Sequence, residues 1–227
     1  MTHEIQNFTF QNPTKILFGR NRIEDIDNEI PKDAKVLVLY GGGSVKKNGA
    51  FDRAVKALGD REWDEFSGIE ANPTFETLMK AVEKVRAGKF NYLLAIGGGS
   101  VIDGTKFVSA ASLFTEDPVD LFGWGVGKGL PVQEVVPFGT ILTLPATGSE
   151  MNSGAVITLV EKKAKVSFRG SKTFPVFSVL EPELTYTLPV RQLVNGLLFN
   201  VSSRCTTSRP LCRKYFTNVN RDCTSCN

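Results

Sequence analysis

Residues 93–106, LLAIGGGSVIDGTK, place Gly97, Gly98, Gly99 and Ser100 directly after an apolar run and just ahead of a helix-forming stretch. Glycines at such a junction let backbone amides approach an anion closely. The helix that follows aims its free N–H groups and the positive end of its dipole at the same point. A phosphate or diphosphate is the group this arrangement suits, seated on Gly98, Gly99 and Ser100. Taken alone, the stretch also reads as an ordinary glycine-rich turn between strand and helix, and its spacing is not the GxGxxG dinucleotide fingerprint.

A second run, Gly41, Gly42, Gly43 and Ser44, follows the apolar segment Lys35–Tyr40. It is expected at the same carboxyl edge of the sheet, where open α/β folds bind ligands. No carboxylate closes this strand to repel a 2′-phosphate. Backbone amides, the Ser44 hydroxyl, Lys46 and Lys47 stand there instead, which favours NADP over NAD unless the two lysines merely face solvent. A third stretch, TLPATGSEMN at 143–152, supplies Thr143, Thr147, Ser149 and Asn152 beside a glycine. Read by itself it is a polar turn.

These residues need a scaffold, and the chain's rhythm describes one. FTFQNPTKILFG alternates around Pro13 like a short antiparallel pair, and RNRIEDIDNEI carries apolar residues at helical spacing. Strands are expected at Lys35–Tyr40, at EWDEF and at Tyr92–Ile96. Helices are expected at about Phe51–Leu58, from Thr74 with a stripe of Phe75, Leu78, Met79, Val82 and Val85, and from Ser100 to about Phe114. Further strands follow at Val135–Leu142, Ala155–Leu159 and Pro175–Leu180, and a helix begins at Pro189. Strands alternating with helices imply parallel pairing through right-handed crossovers, hence an α/β fold with an open, mostly parallel sheet and helices on both faces.

Composition narrows the classes. The 227 residues are 41% hydrophobic with a net charge of +3, enough for a core and too little charge for a nucleic-acid surface. No apolar run is long enough to span a membrane and no basic-then-apolar leader opens the chain, so a cytoplasmic location is expected. The only histidine is His3 and all four cysteines, Cys205, Cys212, Cys223 and Cys226, lie near the C-terminus. Within the fold no histidine base or histidine metal cluster is expected. From Phe199 the apolar periodicity stops, so 199–227 is expected to be disordered, and the abrupt break reads as the result of a frameshift. A zinc module is an alternative, since Cys223 and Cys226 form CxxC, but Cys205 and Cys212 do not share that spacing.

Taken together, PTKILFG at 13–19, YGGGSVKKNG at 40–49, ANP at 71–73, AIGGGSVIDGTKF at 95–107, LTLPATGSEMN at 142–152 and PVFSVLEPELTYTLPVRQ at 175–192 resemble the iron-containing alcohol dehydrogenase family, over residues 5 to about 198. The likeness is strongest to its NADPH-dependent butanol dehydrogenase and aldehyde reductase branch. A glycerol dehydrogenase or dehydroquinate synthase relative fits the motifs less well.

The resemblance implies a dehydroquinate synthase-like nucleotide-binding domain over 1–188, the start of an all-helical metal-binding domain at 189–198, and an unrelated tail over 199–227. It implies NADP(H) as cofactor and an alcohol or aldehyde as small-molecule partner, with a homodimer left open. Gly97 to Ser100 would hold the diphosphate. Asn72, Thr143, Thr147 and Leu184 would surround the adenosine part, and Asp103, Ser149, Asn152 and Lys165 would lie toward the diphosphate and nicotinamide ribose. Gly41 stands where NAD-preferring members carry an aspartate. The family's divalent metal, zinc or iron, takes an Asp and a His four residues apart, and those positions fall on Phe199 and Ser203. The resemblance therefore implies an oxidoreductase interconverting primary alcohols and aldehydes. It also implies that this chain lacks its metal site and is inactive by itself, a nucleotide-binding remnant being the non-catalytic alternative.

Overall fold

The computed structural model describes residues 9, 11–123 and 125–192. A six-stranded sheet forms its centre: β1 (Lys15–Phe18), β2 (Val36–Tyr40), β3 (Trp63–Phe66), β4 (Tyr92–Gly98), β5 (Phe138–Leu144) and β8 (Phe177–Leu180), in the order β1-β8-β5-β4-β2-β3. Every pairing in this sheet is parallel. Strand β2, VLVLY, is buried at all five positions, as expected of a parallel strand with helices on both faces.

The two faces sort by alternation. Val36, Val38 and Tyr40 pack with Leu94 and Ile96 against α1 (Ile26–Glu29) and α3 (Ala50–Leu58). Leu37, Leu39, Leu93 and Ala95 face α4 (Phe75–Gly88) and α5 (Gly99–Leu113). Thr74 caps α4, its Oγ1 accepting from Thr77 N at 3.3 Å, which satisfies one of the orphan donors of the first turn. Helix α5 is almost wholly buried. Phe107 on it stacks on Phe122 at 5.5 Å and meets Phe75 and Phe168 edge-on.

Three sequence expectations change. Lys15–Phe18 pairs in parallel with β8 rather than closing an antiparallel hairpin, and the other expected arm lies largely outside the described residues. The segment expected as a strand at Ala155–Leu159 is not in the main sheet. It is β6 (Gly154–Leu159), which pairs antiparallel with β7 (Ala164–Arg169) in a separate hairpin, and β7 was not anticipated. Of the helix expected from Pro189, Val190–Gln192 are helical and the rest lies outside the described residues, as do Phe199, Ser203 and all four cysteines.

Because Phe107 joins α5 to α4, the hairpin and the 122–129 loop, Phe107→Ala should destabilise the chain by about 3–5 kcal/mol. Urea unfolding followed by circular dichroism measures this, with a fall in midpoint at unchanged slope.

Candidate functional site

At the carboxyl edge of the sheet, β4 runs into α5 with no linker. Gly98 is the N-cap of α5 in extended conformation, and Gly97, Gly98 and Gly99 all avoid positive φ. Close approach, not unusual torsion, is what requires glycine here. A Cβ on Gly97 would stand 2.7 Å from a Val101 methyl, and one on Gly99 would stand 2.7 Å from Thr147 Oγ1. The first turn of α5 thus meets the 147–152 turn directly, its free N–H groups facing the gap between them.

That gap is a cleft of about 700 Å³, a volume typical of small-molecule and cofactor sites. One wall is α5, with Gly99, Ser100 and Asp103. A second is the turn carrying Thr147, Ser149 and Asn152, and the third is the β6–β7 hairpin with Lys165, Ser167 and Arg169. Asn72 closes one end. Its backbone lies in the left-handed region at φ 59°, a conformation asparagine tolerates better than most residues. Its N–H donates to Ser100 Oγ at 3.3 Å and its Oδ1 accepts from Lys165 Nζ at 2.7 Å. Thr147 and Ser149 share a 2.8 Å hydroxyl contact.

Eight of the sequence-derived site residues therefore meet in one cleft: Asn72, Gly99, Ser100, Asp103, Thr147, Ser149, Asn152 and Lys165. Gly97 and Gly98 lie behind it at the end of β4. Gly41, Gly42, Gly43 and Ser44 lie beside it, after β2, whose Tyr40 pairs with Ile96. Thr143 and Leu184 are not cleft residues. Thr143 is buried where the β4–β5 register shifts, between Leu142 and Leu144, and Leu184 is packed in the core on the α1–α3 side. The lysines after β2 also differ from expectation. Lys46 pairs with Glu65 at 2.8 Å and sits 4.5 Å from the Phe51 ring centre, so a phosphate would compete there with a carboxylate; both Lys46 and Lys47 are exposed.

Two cleft features escaped sequence reading. Arg169 lies on the unanticipated β7. Lys106, wholly buried beneath the cleft, donates to Asn152 Oδ1 at 2.9 Å and to the Gly154 carbonyl at 2.8 Å. A signal did exist: Asp103 and Lys106 are the only charged residues on α5, and opposite charges three apart on a helix share a face. Burial pushes the Asp103 carboxyl above its ordinary range, against the pull of Lys106, and pushes the Lys106 ammonium down to about 8, against the pull of Asp103.

The cleft suits an extended ligand with a diphosphate at one end: helix N–H groups, small residues at van der Waals limits, hydroxyls, and two cations on the hairpin. Among the described residues no three His, Cys, Asp or Glu side chains converge, and none of their helices is long and apolar enough to cross a membrane.

Residues 13–182 match the model of the family described as iron-containing alcohol dehydrogenase. This chain belongs to that family. It is 49% identical over 196 residues to the NADPH-dependent aldehyde reductase YqhD of Escherichia coli, covering 86% of this chain and 50% of that protein. It is 40% identical over 193 residues to NADH-dependent butanol dehydrogenase A of Clostridium acetobutylicum, covering 84% and 49%. The crystal structure of E. coli YqhD superposes with a TM-score of 0.80 at 49% identity, over 85% of this chain and 49% of that one. That of NADH-dependent butanol dehydrogenase A from Thermotoga maritima gives 0.82 at 40% identity, over 88% and 50%. The chain spans about half the length of the relatives it matches, and that half is an oxidoreductase family's nucleotide-binding domain.

Gly99→Ala should set a methyl against the Thr147 and Ser149 hydroxyls and push the 147–152 turn away from α5. We expect a melting temperature lowered by about 2–8 °C and pyrophosphate binding weakened about tenfold by displacement of a close amide contact. Calorimetric titration with pyrophosphate, paired with a thermal melt, checks both.

Proposed function

We propose that this chain binds NADP(H) in the cleft between α5, the 147–152 turn and the β6–β7 hairpin, as the cofactor-holding half of an alcohol–aldehyde oxidoreductase. The observation that carries the reading is the contact of α5's first turn with the Thr147–Ser149 hydroxyls, with no side chain between them. A diphosphate placed there meets helix N–H groups on one side and hydroxyls on the other. Lys165 and Arg169 supply charge from the hairpin, and Asn72, held by Ser100 and Lys165, closes the end.

The preference for NADP(H) over NAD(H) rests on the β2 edge. Gly41 to Ser44 offer amides and a hydroxyl with Lys47 exposed, and no carboxylate projects from that turn. Named relatives include both NADPH- and NADH-dependent enzymes, and we assign the choice to this edge.

In the family's reaction a divalent metal polarises the carbonyl and stabilises the alkoxide. Among the described residues no three candidate ligands converge, and the resemblance would put the family's ligand positions on Phe199 and Ser203, outside the described residues. The chain's own contribution is to bind the cofactor, orient its nicotinamide end with Asp103 and Asn152, and exclude water from its diphosphate. We propose that alone it binds cofactor without turning over alcohol or aldehyde. The protein would be cytoplasmic.

Fluorescence titration with NADPH and NADH tests this. Tighter binding of NADPH is expected, and failure of both to bind would remove the proposal. A Cβ at Gly42 meets nothing within 4 Å, so Gly42→Asp adds a carboxylate at this edge without a clash. It should weaken NADPH about tenfold more than NADH by repelling the 2′-phosphate. Equal effects on the two would place the adenosine ribose elsewhere.

A further inference from the structure

Lys106 lies on α5, a turn beyond Asp103, with no exposed surface. Its ammonium holds two acceptors of one short segment, Asn152 Oδ1 and the Gly154 carbonyl. Gly154 N–H donates to the same Asn152 Oδ1 at 3.0 Å, so that oxygen faces two donors. The Asn152 amide is thereby fixed in orientation, and its Nδ2 donates to the Gly148 carbonyl at 2.9 Å. Asp103 is held in the same framework. Its Oδ2 accepts from Val156 N at 3.0 Å, while its Oδ1, buried and 3.7 Å from Lys106 Nζ, has no hydrogen-bond partner.

That oxygen is enclosed, so the charge of Lys106 beside it is what offsets the cost of burying this carboxylate.

We propose that the ammonium of Lys106 is the positioning group of this cleft, clamping the 148–154 segment to α5 so that Asp103 and Asn152 keep their places in the cleft lining, and that ligand affinity is therefore coupled to its protonation. This rests on the reading of the cleft as a dinucleotide site. Lys106 touches no ligand itself and acts through Asn152, Gly154 and Asp103. The charged groups facing it are Asp103 on its own helix, Glu150 from the 149–151 turn and Arg169 from β7. A bound diphosphate adds negative charge near this set and favours the protonated form.

Burial sets Lys106 at about 8 in the folded chain, within reach of experiment. The sign separates two effects. Between pH 8 and the ordinary lysine value the unfolded chain binds more protons here than the folded one. The cost of this buried charge to stability is full below pH 8 and is relieved as pH rises. Affinity should fall over the same interval, because the clamp loses its charge. A general loosening at alkaline pH would move both in the same direction.

The experiment uses the full chain with NADPH, which tolerates alkali. Wild type is expected to bind about tenfold more weakly at pH 9.5 than at pH 7. Lys106→Met should bind at least about tenfold more weakly at pH 7 and show no further alkaline fall. In the ligand-free chain the side-chain amide signals of Asn152 should shift with a midpoint near pH 8, and should not do so in Lys106→Met. A flat wild-type affinity profile to pH 9.5, or a variant that keeps wild-type affinity and profile, overturns the proposal. If NADPH does not bind at any pH, the dinucleotide reading fails, and the Asn152 titration alone decides the clamp: a midpoint near 8 supports it and no shift overturns it. Should Lys106→Met fail to fold, the two wild-type profiles decide.

Discussion

Helix α5 starts where β4 stops, so the chain passes from strand to helix without a connecting residue, and each side chain at that junction competes with a neighbour for the same space. At Gly97 the competitor is Val101, one turn into the helix, and at Gly99 it is Thr147 from across the sheet edge. Removing the Cβ at both positions lets the helix seat against the 147–152 turn. Its unpaired N–H groups then face hydroxyls and a cleft, where burial without partners would be unfavourable. The rest of the site is arranged around this contact. The hairpin is tied to the start of α4 through Thr158 N and the Pro73 carbonyl at 2.9 Å, and to α5 through Val156 N and Asp103. Two walls of the cleft, the hairpin and α5, are therefore joined by a hydrogen bond.

The main sheet was legible in the sequence because its signal is redundant. KVLVLY and YLLAI are apolar runs closed by glycines, and only a parallel strand covered on both faces explains such runs at that length. Thr74 before an amphipathic stretch marks the start of α4 by its capping chemistry. The hairpin was not legible, and the reason is its turn. Residues 160–163 read VEKK, with no glycine, asparagine or proline, and Lys163 itself takes the left-handed conformation at φ 48°. Propensity argues against lysine there, and tertiary contacts hold the turn: Val160 N donates to Glu76 of α4 at 3.2 Å and Lys162 Nζ to the Val126 carbonyl at 2.7 Å. Without the turn, AKVSFR reads as a charged surface stretch, and Arg169 goes with it.

The site was legible in part for a related reason. Glycine runs, hydroxyls and an asparagine in a polar turn announce themselves by type, and eight of them do meet in one cleft. Burial of a single polar side chain has no such local mark. Lys46 and Lys106 look alike in sequence, each three or more residues past a glycine run. Lys46 lies at the surface over Phe51, paired with Glu65, while Lys106 is enclosed. What distinguishes them is the helix: α5 is flanked on nearly every side by sheet, α4 and hairpin, whereas α2 (Ser44–Lys47) is a single turn at the rim.

Cations elsewhere in the chain, the buried Arg61 and the exposed Arg86, show what a purely structural one looks like. Arg61 donates to the carbonyls of Pro31, Leu58, Asp27 and Ile30 and to Asp27 Oδ1, all within 2.9 Å. Arg86 closes the end of α5 on the carbonyls of Ala111, Ser112 and Phe114. Each joins backbone groups that would otherwise be orphaned, and the acceptors lie away from the cleft. Lys106 differs on both counts. It is less fully served by its surroundings, with burial opposing its charge, and its partner Asp103 keeps one enclosed oxygen without a hydrogen-bond partner. Buried ion pairs are weak contributors to stability, since desolvation offsets attraction. A pair that is both expensive and incomplete makes physical sense where it fixes the lining of a cleft, as Lys106 fixes Asn152 and Gly154 against α5.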